Sequence, residues 1–62
     1  MRAEKLDSVR NEITQIRRDV RAQQREIRML QRADIPTASA ELLLKRMRAR
    51  LDDLCRERHV FR

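Results

Sequence analysis

Between Leu6 and Leu30 the apolar residues fall at Leu6, Val9, Ile13, Ile16, Val20, Ile27 and Leu30, in steps of 3, 4, 3, 4, 7 and 3. Steps that average close to 3.5 residues keep side chains on one stripe of an α-helix and do not fit the alternating face of a strand. In heptad notation Leu6, Ile13, Val20 and Ile27 take the a places, while Val9, Ile16, Gln23 and Leu30 take the d places. The flanking e and g places are polar throughout, with Arg10, Arg17, Gln24 and Gln31 on one side and Lys5, Glu12, Asp19 and Glu26 on the other. A stripe this narrow is the seam of a coiled coil, suited to packing along a second helix.

The first helix has to end near Ala33. Pro36 drives Ile35 out of the α region, and Asp34 favours turn conformations. Thr37 or Ser39 caps the next helix, and the stripe resumes as Ala40, Leu44, Met47, Leu51, Leu54, Arg58 and Phe61, widened by Leu43 and Cys55. The pattern predicts a single all-α domain over residues 1–62, an antiparallel two-helix hairpin with a coiled-coil heptad seam, its helices over 3–33 and 39–60 and its connection over 34–38. A chain that turns back at residue 35 or 36 pairs residues whose numbers add to about 71. Ile27 then meets Leu44, Val20 meets Leu51, Ile16 meets Leu54 and Val9 meets Phe61. The same register sets Gln23 against Met47, Arg58 against Ile13, Asp19 within reach of Arg50, Glu12 near Glu57 and Arg10 near Arg62.

With 62 residues, no glycine, one cysteine and one histidine, the chain holds no Gly-rich phosphate loop, no disulfide framework and no complete four-ligand zinc set. An enzyme pocket would need more apolar volume than such a chain supplies, so neither catalysis, a cofactor nor a small-molecule substrate is expected. Cys55 and His59 are four apart, with Asp52 three before the cysteine, a spacing that offers one metal only a partial ligand set. They are read as a half-buried thiol and an exposed histidine, and no metal is expected. The longest apolar run, Leu42 to Leu44, is far short of a membrane span, and one unpaired cysteine fits a reducing compartment, so a cytoplasmic location is expected.

Charge is unevenly placed. Residues 17–50 carry ten basic residues against Asp19, Glu26, Asp34 and Glu41, which accounts for the whole formal charge of +6. Arg18, Arg21, Arg25, Arg28 and Arg32 form one line on the outer face of the first helix, and Lys45, Arg46, Arg48 and Arg50 lie in the part of the second helix expected beside it. These nine are the candidate nucleic-acid-binding residues, although no aromatic side chain interleaves them for base stacking. Met29, Ile35, Leu42 and Leu43 are apolar, lie off the main seam within about two turns of the connection, and are the candidate interface. A lone hairpin of this size has a thin core and needs a further contact, expected from a homodimer packed as a helical bundle or from a protein partner. The residues therefore point to a small non-catalytic interaction or regulatory protein acting through helix–helix contacts. The alternative is a basic hairpin that binds RNA or DNA through the arginine stripe.

Overall fold

The computed structural model describes residues 2–60, with side chains described from Glu4 onward. Two helices, α1 (Arg2–Arg32) and α2 (Ala38–Val60), pack against each other as a helical hairpin, and the described residues contain no strand. At 1.5 Å per residue the 31 residues of α1 are about 46 Å long. The molecule measures 48 × 14 × 12 Å, so α2 lies wholly alongside α1.

The residues removed from solvent are those of the heptad seam. Val9, Ile13, Gln23 and Ile27 of α1 and Leu54 of α2 are buried, while Leu6, Ile16, Val20, Leu30, Ala40, Leu44, Met47, Leu51 and Arg58 are half-buried. Val9 and Ile13 close around Leu54, with Ile16, Leu51 and Cys55 packed at the edge of this cluster. Cys55 widens the stripe as expected, whereas Leu43 remains 44% exposed.

Helix α1 stops through its backbone. Asp34 has a φ of 56°, in the left-handed region. The Ile35 N–H donates to the Leu30 carbonyl at 2.9 Å and the Asp34 N–H donates to the Gln31 carbonyl at 3.2 Å. This is a Schellman arrangement, which usually takes glycine at its left-handed position. The chain has no glycine, and Asp tolerates this conformation better than most residues because its side chain is short and polar. The connection thus begins one residue earlier than the expected 34, and α2 begins at Ala38, one before the expected 39. The Glu41 N–H donates to the Thr37 carbonyl at 2.8 Å, so Thr37 rather than Ser39 occupies the capping position.

Asp34 also places a carboxylate at the negative end of the α1 dipole. Asp34→Gly should therefore stabilise the hairpin by about 1 kcal/mol, as backbone strain and charge repulsion are relieved together and the flexibility of glycine in the unfolded chain offsets part of the gain. A urea titration reads the change as a higher midpoint at unchanged slope. A lower midpoint would contradict the assignment.

The register differs from the expected one. Gln23 Nε2 donates to the Ala40 carbonyl at 3.2 Å and Arg50 reaches Glu12 at 3.1 Å, pairs whose residue numbers add to 63 and 62 in place of about 71. Leu54 packs on Val9 and Ile13, not centrally on Ile16. The helices are thus slipped by roughly half a heptad to one heptad. The pairs expected for Val9 with Phe61 and Arg10 with Arg62 lie outside the described residues.

The connection is long enough to allow the slip. After the Schellman turn, Ile35, Pro36 and Thr37 adopt no helical conformation, and three extended residues span about 10 Å, close to seven residues of helical rise. The inter-helix contacts place Ala38 level with about residues 25 to 29 of α1. The slip keeps seam positions facing seam positions, with Leu54 against both Val9 and Ile13. It also replaces the unfavourable Glu12–Glu57 approach by Glu12–Arg50, and gives Gln23 a carbonyl partner beside the small side chain of Ala40. Arg58 moves from opposite Ile13 toward the level of Leu6 and is half-buried.

Candidate interaction surfaces

The Glu12–Arg50 ion pair fixes which flank of the seam is which, because both residues directly precede an a position. The same phase assigns Lys5, Asp19 and Glu26 of α1, and Leu43 and Glu57 of α2, to that flank. The opposite flank takes the residues that follow d positions: Arg10, Arg17, Gln24 and Gln31 of α1, and Glu41, Arg48 and Cys55 of α2. Antiparallel helices bring like heptad letters together across the seam, so the hairpin has one acid-rich flank and one basic flank.

The five candidate arginines of α1, Arg18, Arg21, Arg25, Arg28 and Arg32, are all exposed. Arg18, Arg25 and Arg32 face directly away from the seam. Arg21 and Arg28 lean toward the basic flank. The four candidates on α2 divide. Lys45 and Arg48 fall on the basic flank, level with about residues 18 and 15 of α1, whereas Arg46 and Arg50 fall on the other, where Arg50 is held by Glu12. The register slip also carries all four away from the tip, so they sit beside the middle of α1 and not beside Arg25 to Arg32.

Arg17 belongs to this surface, although the sequence alone marks it only as a seam-flanking residue. It shares an e place with Arg48, so the fold sets the two facing each other across the basic flank. The signal was present in the heptad phase, since e positions approach one another in an antiparallel pair. Arg17, Arg21, Arg28, Lys45 and Arg48 are all exposed, and among the described residues none forms an ion pair. The acids behave otherwise: Glu12 holds Arg50, Asp53 lies 3.8 Å from Arg56, and Asp19 accepts a hydrogen bond from Gln15 Nε2 at 3.0 Å.

The apolar candidates are on the surface, with Met29 67%, Ile35 49%, Leu42 50% and Leu43 44% exposed. They do not form one cluster. The slipped register puts Leu43 level with about Val20, so Leu42 and Leu43 lie roughly 13 Å along the axis from Met29. Leu42 points away from the seam and Leu43 toward the acid-rich flank, leaving the basic flank free of large exposed apolar groups.

Asp52, Cys55, Arg56, His59 and Val60 line a shallow open depression near the end of α2. Among the described residues no three His, Cys, Asp or Glu side chains come together to hold a metal ion. No described helix is long and apolar enough to cross a membrane. In comparisons with known proteins, the chain matches no family model, no curated protein and no solved structure.

Proposed function

We propose that this chain is a small non-catalytic interaction protein of the cytoplasm that acts through helix–helix contacts, with a second copy of itself as the first partner. One observation carries the reading. Among the described residues the hairpin buries four apolar side chains, Val9, Ile13, Ile27 and Leu54, and leaves five large ones exposed, Met29, Ile35, Leu42, Leu43 and Val60. A two-helix seam has no third helix to cover its edges, which is why Leu44, Met47 and Leu51 are only half-buried. Packing two hairpins into a four-helix bundle through the acid-rich flank would cover that edge of the seam together with Leu43 and the neighbouring Leu42. Burying one leucine contributes about 2 kcal/mol, so a few such contacts in each copy offset much of the cost of association.

Sedimentation equilibrium tests this directly. The expected result is a dimer at micromolar concentration with a thermal midpoint that rises with protein concentration. Leu42→Glu combined with Leu43→Glu should yield a helical monomer, because both side chains are exposed within the hairpin and their loss opens no cavity. A wild-type monomer whose mass is constant up to about 100 times that concentration would reject the reading, since dilution over that range is worth about 2.7 kcal/mol.

A further inference from the structure

We propose that the basic flank, centred on Arg17, Arg21, Lys45 and Arg48 and extended by Arg28, is a binding surface for the phosphate backbone of double-stranded nucleic acid. This surface is separate from the apolar one, and a dimer formed through Leu42 and Leu43 leaves it open.

Three features of the fold support the assignment. The first is uncompensated charge. All five side chains are exposed and none has an ion-pair partner among the described residues; Glu41, four residues before Lys45, and Asp52, four residues after Arg48, are the acids that the heptad phase places nearest to them. Cations gathered at this spacing repel one another, a cost that a polyanion removes. The second is convergence. Arg48 and Lys45 come from α2 and Arg17 and Arg21 from α1, and only the slipped register sets them level with one another. Apolar residues alone would meet equally well one heptad away; the Gln23–Ala40 hydrogen bond and the Glu12–Arg50 ion pair hold the register that brings these cations together.

The third is shape. From Arg17 to Arg28 the charges span about 17 Å along a straight rod 14 × 12 Å in section. A duplex presents one phosphate charge per ~1.7 Å of axis, so a linear array of this length can engage several phosphates at once. Among the described residues the flank has no aromatic side chain on which to stack an unpaired base, and its two glutamines, Gln24 and Gln31, lie beside the seam about 10 Å from each other, away from the outer line of Arg21 and Arg28. Binding through it is to the backbone of a duplex, without sequence preference. Arginine, which supplies four of the five cations, suits this role because its planar head can bridge two phosphate oxygens.

Titrating the full-length protein against a fluorescent 20-base-pair duplex, as DNA and as RNA, at salt between 50 and 200 mM tests the proposal. Five phosphate contacts predict a log–log salt slope near −4.5, or about a 500-fold loss of affinity across that range. Arg17→Gln, Arg21→Gln and Arg48→Gln combined should reduce the slope to about −1.8, a loss of only about 12-fold over the same range, with circular dichroism unchanged. The control removes three cations from other faces, Arg46→Gln, Arg50→Gln and Arg56→Gln, and should keep the steep slope. Binding of one duplex and not the other identifies the helical form recognised. Equal flattening by both triple variants would reduce the effect to net charge and overturn the proposal. No salt-sensitive binding at 50 mM would overturn it as well, as would competition by poly-glutamate as effective per charge as competition by duplex.

Discussion

Leu54→Ala is expected to unfold most of the molecule at room temperature. Leu54 is fully excluded from solvent, and it is the residue around which Val9 and Ile13 close from α1, with Ile16, Leu51 and Cys55 at the margin. Truncating a buried leucine costs the lost transfer energy plus the energy of the cavity, together about 2–5 kcal/mol. Whole domains are stable by only about 5–15 kcal/mol, and a chain of 62 residues lies at or below the low end. The loss at this one side chain is therefore comparable to the whole stability. Leu51→Ala removes the same atoms from a half-buried position and should cost about half as much. Urea denaturation followed by circular dichroism, at a fixed concentration low enough to hold the monomer, ranks the two. An equal or reversed order would mean that the packing centre is not at the Val9–Leu54 level. Such sensitivity follows from the uneven distribution of the core. The open end of the hairpin holds the apolar cluster, the middle holds the Gln23–Ala40 hydrogen bond, and the tip is closed by backbone hydrogen bonds around Asp34.

The two helices and the residues of the seam were legible in the sequence because a heptad pattern is local. Each apolar residue needs only its neighbours three and four places away to identify its face, and Leu6 to Leu30 and Ala40 to Arg58 satisfy that condition. The end of α1 was legible because Pro36 and Asp34 act on their own backbone. The relative position of the helices was not, because a repeating pattern is unchanged when shifted by its own period. What breaks that symmetry is a few polar residues and a three-residue segment whose path is set by its backbone conformation. Gln23 was recognisable as a register-setting side chain, yet its partner is a backbone carbonyl, and carbonyls carry no sequence signal. The surfaces inherited the same error. Placing Lys45 to Arg50 beside the tip followed from the assumed register, and Arg17 was passed over because the basic flank exists only once the heptad phases of both helices are combined.

That symmetry makes the register testable with one covalent bond. With Cys55→Ser removing the native thiol, Gln23→Cys combined with Ala40→Cys should form an intramolecular disulfide nearly completely in an oxidising glutathione buffer, while Gln23→Cys combined with Met47→Cys should remain reduced. A disulfide requires Cα atoms within about 7 Å, and positions 40 and 47 are about 10 Å apart along α2, so the two pairs cannot both react within one native register. Closing the loop between positions 23 and 40 should also stabilise the oxidised protein by about 3 kcal/mol through restriction of the unfolded chain, less what is lost with the Gln23 hydrogen bond. That gain would appear as a large increase in the urea midpoint, abolished by reductant. Cross-linking of Gln23→Cys with Met47→Cys in preference would restore the tight-turn register, with Asp19 and not Glu12 beside Arg50. The same result would remove Lys45 and Arg48 from the level of Arg17, and with them the geometric basis of the duplex-binding flank. The Gln23–Ala40 bond therefore decides more than the packing of two helices, because it determines which cations stand together on the surface.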